Sequence, residues 1–187
     1  MNVKYVAATD FEATRFYHQK EHFNSNITKS FEWRIEQLNR LARMLSENAS
    51  EFSEALGSDF KTALSEKVFE GAALLGLIEA TKANLKAWME PTEVPIPKFL
   101  RASGHRGMVY REPYGVTLIM GPFNAPLISL LRPAITALAA GNTCVLKVPE
   151  APATATLLLN LVPQYFEPRA VTAFAADPDQ IARRRMI

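Results

Sequence analysis

The stretch MGPFNAP, residues 120 to 126, places one amide side chain, Asn124, between two prolines where an apolar run ends. A comparable point follows in KVPE, residues 147 to 150, where Lys147 and Glu150 stand three positions apart. Amide, ammonium and carboxylate groups at such points suit a polar ligand, because open parallel sheets bind ligands beyond the carboxyl ends of their strands. Each residue also has a plainer role. Asn caps helices, and Pro is welcome in a first helical turn. A lysine can be a solvated exit residue, and an acid near a helix N-terminus is favoured by the helix dipole. Neither stretch matches Gly-x-Gly-x-x-Gly and no P-loop occurs, so a dinucleotide bound here would not use the usual glycine fingerprint.

Other reactive residue types are few. Cys144 is the one cysteine. It lies mid-run between Thr143 and Val145, where a thiol is an inert core group rather than a nucleophile. No internal disulfide can form, which excludes the framework of a small secreted protein. His18 and His22 fall at i, i+4 on a predicted helix with no third ligand, so no metal site is expected. His105 sits in a predicted loop. A net charge of +2 with mixed signs is too small for a nucleic-acid footprint. The basic cluster Arg183 to Arg185 reads as a solvated tail. The apolar fraction of 48% supports a packed core, in one domain or one and part of a second. Residues 113 to 146 are poor in charge, but Pro122, Pro126, Pro133, Asn124 and Arg132 interrupt them, so no membrane span is expected. The N-terminus lacks the apolar core of a secretory signal, which leaves the cytoplasm as the expected location.

The elements that must hold these residues change character near residue 90. Phe31, Ile35, Leu38, Ala42, Leu45, Ala49, Phe52 and Leu56 recur at steps of four and three, predicting one helix with Ser30 as N-cap and Gly57 just past its end. Val68, Ala72, Leu75, Ile78, Thr81, Leu85 and Trp88 predict a second, and the two form a hairpin. Pro91, Pro95 and Pro97 predict an extended crossing segment, and GMVYREPYG a short strand ended by Pro113 and Gly115. VTLIM then predicts a strand buried on both faces. The helix-like PLISLLRPAITALAAG, closed by Gly141 and interrupted at Pro133, leads to the strand TCVLKV, the helix PATATLLLNLV and the apolar run AVTAFA. Strand, helix, strand, helix, strand is the grammar of a parallel sheet with right-handed crossovers. The expected class is α/β: a helical segment over 1–90, an extended linker over 91–115, a partial Rossmann-like unit over 116–176 and a divergent tail over 177–187.

Taken in order, EPYGVTLIMGPFNAPL and PAITALAAGNTCVLKVPEAPATATLL resemble the amino-terminal cofactor-binding region of the aldehyde dehydrogenase superfamily. SFEWRIEQLNRLARML and YREPYGV resemble its class 3 type, the fatty-aldehyde and coniferyl-aldehyde group. GPFNAP stands where the family has GPWN-aromatic-P, and KVPE where it has KPSE. The resemblance implies that Asn124 donates its amide to the oxygen of a tetrahedral thiohemiacetal. A fixed, neutral donor aimed at developing charge is typically worth ~3–4 kcal/mol of barrier. It implies that Lys147 donates to the adenosine ribose hydroxyls, that Glu150 accepts from them, and that Met120, Gly121, Pro122 and Phe123 offer backbone and ring contact to the nicotinamide half. A carboxylate at the ribose repels a 2′-phosphate, which favours NAD while leaving NADP possible.

The family's later motifs do not occur in these residues: no F-T-G-S turn for the pyrophosphate, no E-L-G-G with the general base, no nucleophilic cysteine. The expectation is therefore an amino-terminal fragment of an NAD(P)-dependent enzyme that oxidises aldehydes to acids, inactive alone and binding cofactor weakly. An alternative is a regulatory module associating with a full-length relative, and another is a fragment of an acyl-phosphate or acyl-CoA reductase. A three-stranded sheet with bare edges predicts self-association.

Overall fold

The computed structural model describes residues 10–175. The predicted basic cluster and divergent tail lie outside them. Helix α1 (Asp10–Asn24) leads through a short 3-10 turn at Ile27–Lys29 into α2 (Phe31–Glu47). Ser30 caps α2 as predicted, its hydroxyl accepting from the Trp33 amide at 3.2 Å. The long helix expected over 31–56 is instead two, because α2 ends at Asn48 and α3 (Ala49–Asp59) follows. The Asn48 amide donates to the Met44 carbonyl and to the Tyr165 hydroxyl, both at 2.9 Å. Periodicity cannot register this break, because Phe52 and Leu56 beyond it are still buried. Gly57 lies inside α3 rather than after it, and the chain leaves the helix at Phe60.

Helix α4 (Leu64–Met89) packs against α2 and α3 as the predicted hairpin, and also against α6 (Ile128–Ala140). Its buried stripe is Glu70, Leu74, Ile78, Thr81 and Leu85. The predicted stripe shares 78, 81 and 85 with it, but Val68 and Trp88 are exposed and Leu75 is half-buried. Leu74, Leu75, Leu77 and Ile78 make the helix apolar over much of its circumference. The pattern alone therefore fits more than one phase, and α6 selects one.

The proline-rich crossing contains β1 (Thr92–Val94), which pairs antiparallel with β2 (Gly107–Val109). Between them Lys98–Ala102 forms a short helix, α5, where extended chain was expected. Its N-cap is Pro97, so none of the prolines falls inside a helical turn.

The second half follows the expected alternation. Strands β3 (Val116–Met120), β4 (Thr143–Lys147) and β5 (Val171–Phe174) form a parallel sheet in that order. Helix α6 and α7 (Pro152–Tyr165) make the crossovers. Helix α6 runs through Pro133 without interruption and stops at Gly141, whose φ of 94° is the left-handed conformation a side chain would disfavour. Ile119, Cys144, Leu146, Val148 and Val171 are buried on the face covered by α6 and α7. On the opposite face α1 covers the amino ends of the strands. There the buried Gln19 donates to the Cys144 carbonyl at 3.0 Å and the Pro168 carbonyl at 3.1 Å. Beyond α1 that face is open: Leu118 is 57% exposed and Met120 68%. Strand β3 is thus buried on one face at Ile119, with Thr117 half-buried beside it, and not on both faces.

Candidate functional site

Strands β3 and β4 end side by side, with Met120 opposite Lys147. The Gly121 amide donates to the Lys147 carbonyl at 3.3 Å, one step beyond the last strand pair. A Cβ on Gly121 would lie 3.0 Å from the Leu130 Cβ, so glycine lets the chain lie directly on α6. Pro122, Phe123 and Asn124 follow as exposed residues. The Phe123 ring meets Phe60 edge-on at 6.3 Å. Asn124 does not cap α6, which has no side-chain cap at its own N-cap position. Among the described residues the Asn124 side chain makes no hydrogen bond. Its amide projects from the strand end without internal work to do.

At the end of β4 the Lys147 ammonium lies 2.6 Å from Glu150 Oε1. The lysine side chain is mostly buried and the glutamate is 73% exposed. Hydrogen bonding from Lys147, and then its charge, holds the Glu150 carboxyl below the usual carboxylate range. At neutral pH Glu150 is therefore a carboxylate, and being exposed it can accept further hydrogen bonds. Glu150 is not the acid at the α7 N-terminus. Asp59, at the end of α3, occupies that position: its two oxygens accept from the Ala153 amide at 2.8 Å and the Thr154 amide at 2.9 Å.

The same arrangement occurs at α6. Glu70 is buried, and its Oε2 accepts from the Leu127 and Ile128 amides, both at 2.9 Å. Lys61 lies 3.7 Å from the other oxygen. Sequence reasoning missed both acids. Glu70 left a trace, because a charged residue four positions before Leu74 falls on the buried stripe of α4. Asp59 left none, since its partners are far along the chain. The two capped helix ends matter for chemistry. A helix N-terminus after a parallel strand is the usual phosphate site of a dinucleotide fold. Here both such ends already hold a carboxylate, so neither is open to a second anion. An ammonium beside an exposed carboxylate at the end of β4 suits a vicinal diol, whereas the filled ends of α6 and α7 suit no helix-bound phosphate.

The remaining candidates separate from this site. Cys144 is fully buried in the sheet, and burial pushes its thiol up to about 12. Below pH 9 the thiol is neutral in both folded and unfolded chains. Above it the unfolded chain loses its proton first, so stability falls between about pH 9 and 12, by up to about 1.4 kcal/mol per pH unit. We expect this alkaline slope to flatten in Cys144→Ala when urea midpoints are compared at pH 8 and pH 10. The native thiol should also resist alkylation at neutral pH. His18 and His22 lie one turn apart on α1, beside Glu167 and Arg169. Burial, and then Arg169, lowers the His22 pKa. Among the described residues no three His, Cys, Asp or Glu side chains gather as a metal site would require.

The family model described as "Aldehyde dehydrogenase family" matches residues 5–184. The chain is 38% identical over 156 residues to the chloroplastic aldehyde dehydrogenase family 3 member I1 of Arabidopsis thaliana, covering 79% of this chain and 27% of that protein. It is 34% identical over 163 residues to human aldehyde dehydrogenase family 3 member B1, covering 86% and 34%. It thus spans about a third of the length of these relatives, which fits an amino-terminal segment of a class 3 member. Among solved structures, substrate-bound AldH of Staphylococcus aureus superposes with a TM-score of 0.85 at 28% identity, covering all of this chain and 39% of the other. A succinic semialdehyde dehydrogenase of Streptococcus pyogenes in complex with NADP+ shares the fold, with a TM-score of 0.77 at 17% identity. Family match, identity and fold agree with one another, and the chain belongs to the aldehyde dehydrogenase family.

Proposed function

We propose that this chain supplies the oxyanion donor and the ribose-binding pair of an NAD(P)-dependent aldehyde oxidation. Asn124 is the donor, Lys147 and Glu150 hold the adenosine ribose, and Met120, Gly121, Pro122 and Phe123 line the nicotinamide side. The observation that carries this reading is the juxtaposition at the two strand ends. An exposed, uncommitted amide sits one loop away from an exposed carboxylate, and the Gly121–Lys147 hydrogen bond ties the two loops together. The cofactor supplies the hydride acceptor when bound. The chain's own residues bind its ribose and hold a neutral N–H where negative charge on a substrate oxygen would develop. NAD is favoured over NADP, because Glu150 would face a 2′-phosphate with like charge.

These 187 residues hold neither a usable thiolate nor the general base, so they do not turn over aldehyde alone. Cofactor binding is weak, since the helix ends after β3 and β4 are filled by Glu70 and Asp59 and neither receives the pyrophosphate. Calorimetric titration of NAD+ into the chain tests this. We expect a measurable Kd that rises about tenfold or more in Glu150→Ala, the loss of about 1.4 kcal/mol of ribose contact. Tight binding unaffected by that substitution would remove the assignment. The open sheet face at Leu118 and Met120, with edge strands β3 and β5, supports self-association or association with a full-length relative. Light scattering would then report a mass above that of the monomer. No helix among the described residues is long and apolar enough to cross a membrane, and a cytoplasmic location completes the proposal.

A further inference from the structure

Both ligand-side loops are built to one plan. The loop after β3 is tied at its start by the Gly121 amide to Lys147, carries Pro122 and Pro126, and ends where Glu70 takes the Leu127 and Ile128 amides. The loop after β4 is tied at its start by the Val148 amide to the Phe174 carbonyl at 2.9 Å, carries Pro149 and Pro152, and ends where Asp59 takes the Ala153 and Thr154 amides. Between two fixed ends the prolines remove φ freedom, so the far-end carboxylate is what closes each loop in one conformation. Both carboxylates come from the helical hairpin, one from the end of α3 and one from α4. Phe60, between them in sequence, also touches Phe123 beside Asn124.

We propose that Glu70 and Asp59 are positioning residues, each dedicated to one loop: Glu70 sets residues 121–127 and with them Asn124, and Asp59 sets residues 148–152 and with them the Lys147–Glu150 pair. The hairpin thereby acts as a template that holds the two halves of the site in mutual register. What the loops do rests on the function proposed above; how they are held does not.

The test uses the isotopically labelled 187-residue chain, with amide hydrogen exchange followed by NMR and adenosine, which has no phosphate to occupy a vacated helix end, titrated as the probe. In Glu70→Ala, protection at Leu127 and Ile128 should fall about tenfold or more, the factor expected for a charge-assisted hydrogen bond. The Asn124 side-chain amide resonances should shift, while Ala153, Thr154 and the adenosine affinity stay near wild type. In Asp59→Ala the pattern should invert, with protection lost at Ala153 and Thr154 and adenosine binding weakened about tenfold by release of the Lys147–Glu150 loop. Glu70→Gln and Asp59→Asn keep an acceptor oxygen of the same shape and should restore part of each effect. They also serve if an alanine variant does not fold. Loss of protection spread equally over both loops, or no response at either, would overturn the proposal. Failure of the wild-type chain to bind adenosine would count against the ribose assignment alone, because the exchange pattern still reports the positioning.

Discussion

Leu74→Ala is expected to lower the free energy of unfolding by roughly 2–5 kcal/mol, the range for deleting a fully buried leucine side chain. Leu74 is fully buried on the α4 stripe, and α4 is the helix that packs against α2, α3 and α6 together. A cavity there weakens the contact between the hairpin and the sheet layer as well as the hairpin itself. Leu75→Ala, one position on and half-buried, should cost less than half as much. Chemical denaturation of both variants measures the difference directly. Equal costs, or a larger one at Leu75, would mean that α4 is rotated from the orientation described and that Glu70 does not face α6.

The second large effect is expected at the opposite end of α6. Arg34 is buried on α2, and its guanidinium donates to the Ala139 carbonyl at 3.2 Å and the Lys29 carbonyl at 3.0 Å. Among the described residues it has no carboxylate partner within salt-bridge distance. The Ala139 carbonyl at the C-terminus of α6, where a cation is favoured, and the Lys29 carbonyl take that part. Burial accordingly lowers the Arg34 pKa from its ordinary value. Gly141 makes room for the arrangement: a Cβ there would meet the Thr28 carbonyl oxygen at 2.9 Å and Arg34 Nε at 3.0 Å. Arg34→Leu removes both donors and leaves two carbonyls unpaired, at a cost of about 3 kcal/mol. Arg34→Lys keeps the charge but cannot span both acceptors, so it should lose roughly half of that. Thermal unfolding of the two variants checks the order. A loss below about 1 kcal/mol in Arg34→Leu would show that water satisfies these carbonyls equally well.

Helix α6 is thus held by an acid at its N-terminus and a base at its C-terminus, each supplied by a different helix of the first half. Neither tie was legible in the sequence. Glu70 is separated from Leu127 by 57 positions and Arg34 from Ala139 by 105. Local patterns carry no information about partners at such separations. The break at Asn48 was hidden for the same reason, since its amide is committed to Tyr165, 117 positions away.

What the sequence determined by itself is the part governed by local rules. Alternating apolar runs and helical stretches specified a parallel β3-β4-β5 unit, because short all-apolar segments separated by crossover helices have few other ways to bury themselves. Ser30 as a cap and Gly141 as a helix stop followed from side-chain hydrogen bonding and from the left-handed conformation that glycine tolerates. The placement of Asn124 and of Lys147 with Glu150 at neighbouring strand ends followed from the same alternation. The tertiary structure decided the rest: which face of α4 turns inward, that β3 is covered on one face, and that the helix ends beside the site are filled by Glu70 and Asp59 rather than left open for an anion. Those outcomes depend on which surfaces meet, and a buried carboxylate is tolerated only where distant amides converge on it.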